Sequence, residues 1–239
     1  MFYFGHEKLI LDGKELPFSM LDFWRNSLSN ILLNMTRGTF AEFIVKCALM
    51  YEGYDTFMQE KTGIEAWDID GPPLTAADGR RKSRIEVKSA ASIQMNTPDE
   101  KEPLRLKDTQ LQFSIKRAID WTNVKAGINH NNDLYVFAHY TAEYKARNML
   151  DLRFWEFYVY PTYKIDEDSK LSKQKSISIY RLKKLGVQAQ TFDTLYNEIM
   201  RIIKEISAHY SETNNTAQIV HESHSTIKTD ESMEVYQDV

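Results

Sequence analysis

Apolar residues recur at helical spacing near the start of the chain. Leu21, Phe23, Trp24, Leu28, Ile31 and Leu32 form a broad stripe behind Ser19, a residue type suited to an N-cap. This spacing predicts a helix over residues 18–34, interrupted by Thr36-Arg37-Gly38. A second helix is predicted from Phe40, Phe43, Ile44, Cys47 and Ala48, with Glu42 beside that stripe rather than opposite it. The period then changes to two. Residues 64–70 read as a strand closed by Gly71-Pro72-Pro73, and residues 83–89 as the next strand after a turn at Asp78-Gly79. Leu111, Phe113 and Ile115 alternate with Gln110, Gln112 and Ser114, as on a half-buried strand. Residues 133–140, 155–160 and 176–180 are further predicted strands, the second stopped by Pro161. Phe192, Leu195, Ile199, Ile202, Ile203 and Ile206 mark an amphipathic helix over 191–207. Beyond about Tyr210 the chain is polar and shows no period, which predicts a poorly ordered or weakly docked tail.

A helix pair, a strand-rich middle and a last helix describe one α/β domain over residues 1–210, followed by a polar acidic tail over 211–239. Hydrophobic residues make up 42% of the chain, enough for a sizeable core. No window approaches the roughly 18 apolar residues of a membrane span, and the first residues lack the basic start and apolar run of a signal peptide. The single cysteine, Cys47, excludes an internal disulfide framework and a cysteine-based zinc site. The expected compartment is a reducing cytoplasm. The net charge of −4 is unevenly placed: residues 211–239 carry six acidic residues against Lys228 alone, −5, which leaves about +1 for the rest. That balance permits nucleic-acid binding through a local basic surface and does not by itself argue for it.

Candidate chemistry centres on Ile85-Glu86-Val87-Lys88-Ser89. Strand alternation sends Ile85 and Val87 to one face and the carboxylate of Glu86 and the ammonium of Lys88 to the other. The same acid-x-Lys spacing recurs at Asp12/Lys14, Asp99/Lys101, Glu143/Lys145 and Asp168/Lys170. Only Glu86/Lys88 lies between apolar residues with strand alternation and has an aspartate on the preceding strand, in Trp67-Asp68-Ile69-Asp70. The plain alternative is an exposed salt-bridged strand face, which needs no function.

Phosphodiester hydrolysis requires an in-line water, a Lewis acid on the non-bridging oxygen and help for the leaving alkoxide. Magnesium usually takes one or two protein carboxylates and keeps several waters. Asp68 and Glu86 offer such a pair, with the Val87 carbonyl as a third oxygen and Glu42 as a further ligand, direct or through water. Lys88 is placed to orient the water or steady the developing charge. Asp70 shares a face with Asp68 and competes for its role. Gln94 reads either as a contact to a scissile phosphate or to Lys88, or as an ordinary surface residue. Arg80, Arg81, Lys82 and Arg84 read either as phosphate contacts or as a solvated basic loop.

The constellation resembles the PD-(D/E)xK nuclease superfamily, with Glu42 on a helix, Asp68 on a strand and Glu86-Val87-Lys88 on the next strand, in order. Trp67 stands where the family name implies proline. The chain looks more closely like a group of bacterial restriction-endonuclease-like proteins. That likeness is carried by Arg37-Gly38-Thr39-Phe40-Ala41-Glu42-Phe43-Ile44-Val45, Ala66-Trp67-Asp68-Ile69, Ile85-Glu86-Val87-Lys88-Ser89 with Gln94 following, and Trp155-Glu156-Phe157-Tyr158-Val159-Tyr160-Pro161-Thr162. The resemblance implies a restriction-endonuclease-like fold with a central mixed β-sheet flanked by helices. It implies magnesium-dependent DNA cleavage, with manganese as a substitute, in a restriction or phage-defence setting, and a homodimer by fold-level analogy. It assigns catalysis to Asp68, Glu86, Lys88, Glu42 and Gln94, and metal binding to Asp68, Glu86, Val87 and Glu42. The alternative is an inactive protein of this fold, serving as a nucleic-acid-binding or assembly module.

Overall fold

The structure, a computed structural model, describes residues 5–31, 33–54, 66–76, 79–94, 104–105, 107–119, 124–126, 128–142 and 148–231, with backbone alone at 76, 94, 104, 105, 126 and 214–231. Strands β1 (Lys8–Leu11) and β2 (Lys14–Ser19) form an antiparallel hairpin that leads into α1 (Met20–Leu28). Ser19 caps α1 as its sequence predicts. Its hydroxyl accepts from the Asp22 N–H at 3.4 Å, and the Asp22 carboxylate accepts from the Ser19 N–H at 2.8 Å, a reciprocal capping box.

The predicted first helix breaks earlier than its stripe suggests. Ser29 and Asn30, residue types that favour turns over helix interiors, lie between α1 and α2 (Asn34–Tyr51). Thr36-Arg37-Gly38 falls inside α2 rather than before it. Nor is the α1 stripe buried: Leu21, Phe23 and Leu28 are exposed.

The remaining strands are β3 (Ile69–Ala76), β4 (Gly79–Ala91), β5 (Ile93–Gln94), β6 (Leu104–Arg105), β7 (Gln112–Ser114), β8 (Ala118–Ile119), β9 (Ile128–Asn129), β10 (Leu134–Tyr140), β11 (Trp155–Pro161) and β12 (Ser176–Ser178). The helices that follow β11 are α3 (Thr162–Glu167), α4 (Ile179–Lys184) and α5 (Phe192–Glu231). The central sheet has the order β11-β10-β4-β3. It is mixed: β10 is parallel to β4, while β3 and β11 are antiparallel to their neighbours. The molecule is thus a mixed α/β fold with a central mixed sheet flanked by helices.

The strand β3 does not stop at Gly71-Pro72-Pro73. As an edge strand it tolerates proline, which costs no interior ladder bond there, and a register shift between Asp70 and Pro73 absorbs the irregularity. Gly71 is required by space: a Cβ there would lie 2.5 Å from both Ile85 Cδ1 and Ser83 Oγ.

One face of the sheet carries the larger core. Ala41, Ile44, Val45, Ala48 and Leu49 of α2 and Leu195, Ile199, Ile202, Ile203 and Ile206 of α5 pack on Ile85, Val87, Val136 and Phe157. The other face is covered by the β7–β12 ribbon with α3 and α4, around Phe113, Tyr135, Phe137, Tyr158, Ile177 and Leu182. Strand β10, buried at all seven residues, lies between the two layers. The backbone of α5 stays helical through Glu231, where the polar sequence predicts no period. Among the described residues no helix is long and apolar enough to cross a membrane.

Candidate active site

The site begins with the alternation of β4. Ile85 and Val87 enter the larger core, and Glu86 and Lys88 lie on the second face, opposite Tyr135 and Phe137 in the parallel ladder. The Lys88 ammonium donates to Glu86 Oε1; the two side chains are 32% and 15% exposed, so this is a half-buried pair rather than a solvated strand face. Asp68 lies just before β3. Its N–H donates to the Ile85 carbonyl at 3.0 Å, and its Oδ2 accepts from the Val87 N–H at 2.8 Å. The carboxylate therefore takes over the edge of β4 where the strand pairing of β3 has not yet begun. A strand residue's N–H and C=O point to the same side, so the Val87 carbonyl faces that edge as well.

The electrostatics join these groups. Burial pulls the Lys88 ammonium down, but the charge and hydrogen bond of Glu86, then the charges of Asp68 and Glu42, outweigh it and hold its pKa above the ordinary lysine value. Lys88 is therefore a cation at neutral pH. Glu42, half-buried on α2, thus contributes to the same field from a third element. Burial, then the Glu86 carboxylate, pushes the Tyr135 phenol far above its usual range. Tyr135 is a neighbour of the site that its sequence context does not reveal. Only its position opposite Glu86 in the ladder does so.

Asp70 is drawn elsewhere. The Trp67 indole donates to its Oδ1 at 2.8 Å, and Lys82 Nζ stands 3.8 Å from its Oδ2. Of the two aspartates, Asp68 is the one whose carboxylate accepts from Glu86-Val87-Lys88 itself, at the Val87 N–H. Gln94 ends β5, and its side chain lies outside the described residues. The basic run before the site is largely occupied within the molecule. Arg81 donates through both Nη atoms to Asp133 at 2.7 Å each, and Arg84 lies 4.4 Å over the Trp67 ring. Arg80 is exposed.

Among the described residues no group of three or more His, Cys, Asp or Glu side chains is gathered to hold a metal ion. Asp68, Glu86 and the Val87 carbonyl are the oxygen donors here that could hold a cation. The Lys88 ammonium now occupies one Glu86 oxygen, so a cation there must share or displace that contact.

A second polar chain lies further along the same sheet face. Ser92 Oγ is 2.8 Å from His139 Nε2, His139 Nδ1 is 3.6 Å from Glu156 Oε2, and the Tyr158 hydroxyl donates to Glu156 Oε2 at 2.9 Å. Ser92 and His139 are buried, and the chain reads as a bracket tying β10 and β11 to the end of β4. No protein-family model matches this sequence, and no curated protein matches it either.

Proposed function

We propose that this chain is a metal-dependent endonuclease of the restriction-endonuclease-like fold, hydrolysing DNA phosphodiester bonds. The observation that carries the reading is the hydrogen bond from the Val87 N–H to Asp68, which ties one carboxylate to the strand bearing Glu86 and Lys88. The field of Asp68, Glu86 and Glu42 at Lys88 supports it from three separate segments. Magnesium, when bound, supplies the Lewis acid and a water of lowered pKa. Asp68 and Glu86, with the Val87 carbonyl, are the residues that would hold it, and Glu42 would act through water. Lys88, kept charged, steadies negative charge on the phosphate and orients an attacking water as a compact donor. The half-buried setting strengthens that interaction, since charges screened from bulk water act more strongly on one another.

The test is nicking or linearisation of supercoiled plasmid by the purified protein with magnesium or manganese. Lys88→Ala and Asp68→Asn should each remove cutting while the circular dichroism spectrum and thermal midpoint stay close to wild type. Equal cutting by both variants would refute the assignment.

The second reading, a nucleic-acid-binding or assembly module without cleavage, is favoured by the Lys88–Glu86 contact and the lack of a three-carboxylate group among the described residues. Calorimetric metal titration separates the two. DNA binding without magnesium or manganese affinity favours the module.

A further inference from the structure

Two polar recesses open next to each other at the β7–β12 ribbon that covers the face carrying Lys88. The first, of about 270 Å³, is lined by Asn34, Arg37, Ser89, Gln110 and Gln112 among others. The second, of about 400 Å³, is lined by Gln112, Gln174, Lys175, Ser176, Ser178 and Arg181. Gln112 borders both. Its side-chain oxygen accepts from the Ser176 hydroxyl at 2.5 Å, which fixes it across the β7–β12 ribbon. The first recess starts where the candidate site ends: Ser89 and Ala90 line it and follow Lys88 directly along β4, and Ala90 shares the Lys88 face. Arg37, one and a half turns before Glu42 on α2, is 3% exposed, and its Nη2 donates to Asn34 Oδ1 at 2.8 Å.

The chemistry of the lining is one-sided. Among the described lining residues are side-chain amides, hydroxyls and three cations, and none of them is a carboxylate. Arg181 pairs with Asp168 at 3.5 Å. Asp168 is itself held by the N–H groups of Lys170 and Leu171 at 2.8 Å each. The start of α2 adds to the positive field, because its N-cap, Leu33, makes no side-chain cap bond. A small-molecule site is usually one enclosed and mostly apolar cavity. Two open, amide-lined and cation-lined recesses in series suit an extended anionic polymer instead. Amides and hydroxyls bind phosphate and sugar oxygens without needing a particular base, and arginine and lysine neutralise phosphates.

We infer that these recesses form the track of a nucleic-acid strand. Its phosphodiester backbone leaves the Asp68–Glu86–Lys88 site past Arg37, crosses Gln112 and runs out between Lys175 and Arg181. This rests on the nuclease reading for its direction, and it assigns substrate contacts to 110–112 and 174–181.

The test is binding, read without divalent metal so that cleavage plays no part. Fluorescence anisotropy with labelled single-stranded and duplex DNA, across a salt series, is measured for wild type, Lys175→Glu/Arg181→Glu and Arg37→Gln. Lys204→Glu, an exposed reversal on α5, is the control. The double variant should bind roughly tenfold or more weakly, and the log–log salt slope should fall by about two, one per lost phosphate contact. Lys204→Glu should match wild type. Arg37→Gln should also weaken binding; because Arg37 is buried and its loss can unfold α2, the exposed pair is the deciding variant. An unchanged affinity and slope in the double variant overturns the track, as does a wild type that binds neither DNA form. Equal competition by poly-glutamate overturns the phosphodiester assignment. Weakened binding in the double variant, with no plasmid cutting by wild type in magnesium, leaves the track standing and removes the nuclease reading alone.

Discussion

On one face of β4, Ile85 and Val87 sit among the aliphatic side chains of α2 and α5. On the other, Glu86 and Lys88 share a hydrogen bond opposite Tyr135 and Phe137. Both faces belong to one sheet and both are covered, yet along β4 the first buries no charge, with Ser83 as a buried polar group beside Ile85, and the second holds two charges. Burying charge is costly unless it is paired and hydrogen-bonded. The pairing of Lys88 with Glu86, and of Asp68 with the Val87 N–H, meets that requirement at the point where β3 has not yet joined the sheet. The contrast teaches that the apolar face specifies the fold and the charged face is an addition to it. The second face gains little packing from Glu86 and Lys88 that leucine or valine would not supply better.

The widest separation between the faces is expected from Ile85→Ala against Lys88→Ala. Ile85 is fully buried, so truncation should cost about 2–5 kcal/mol of unfolding free energy in urea titration. Lys88→Ala should cost less, about 1–2 kcal/mol, since the Glu86 carboxylate that loses its partner is half-buried but still reaches solvent. It should instead slow plasmid cutting by roughly 10²–10³-fold, the usual effect of removing one preorganised charge-stabilising group. If Lys88→Ala unfolds the protein as readily as Ile85→Ala does, the two faces are a single packing unit and the case for chemistry on the second is lost.

A smaller effect comes from Gly71→Ala. The added methyl meets Ile85 Cδ1 and Ser83 Oγ, both fully buried and with little room to retreat, so overpacking should cost about 1–3 kcal/mol. Because Gly71 lies beside the core face, cutting per folded molecule should remain near wild type. A loss of cutting without a loss of stability would mean that the β3 edge sets the position of Asp68 more tightly than the larger core does.

Much of this contrast was legible in the sequence, because a strand's period of two is strict. Glu86 and Lys88 had to share a face once Ile85 and Val87 were buried, whereas Asp68, expected within a strand over 64–70, lies just before β3. Where local signals misled, tertiary context overrode them. Gly38 reads as a helix breaker, but a helix-interior glycine costs only about 1 kcal/mol, less than the burial of Ala41, Ile44 and Val45 returns. Gly71-Pro72-Pro73 reads as a strand end, but an edge strand tolerates it. The polar recesses were not legible at all. They draw on the start of α2, the end of β4, residues 110–112 and residues 174–181, and the pairing of β7 with β12 brings the last two together. No periodicity encodes such a juxtaposition.

The smallest effect concerns the far end of the charged face. The contact with His139, 3.6 Å away, holds the Glu156 carboxyl below its ordinary value; partial burial opposes this, and the hydrogen bond from the Tyr158 hydroxyl and the charge of Lys183 support it. A depressed carboxyl pKa stabilises the fold above the unfolded-state value, and that contribution is lost as pH falls through the folded-state value. Wild type should therefore lose stability between about pH 5 and pH 3 more steeply than Glu156→Gln does, when the urea midpoint is followed across that window. The Glu156 side chain is 41% exposed, so the difference should stay below about 1 kcal/mol. Parallel pH profiles for the two proteins would show that the Ser92–His139–Glu156 chain is neutral to stability. The charged face would then carry no stabilising charge at its far end, and its polar groups would all have to be explained by what binds near Lys88.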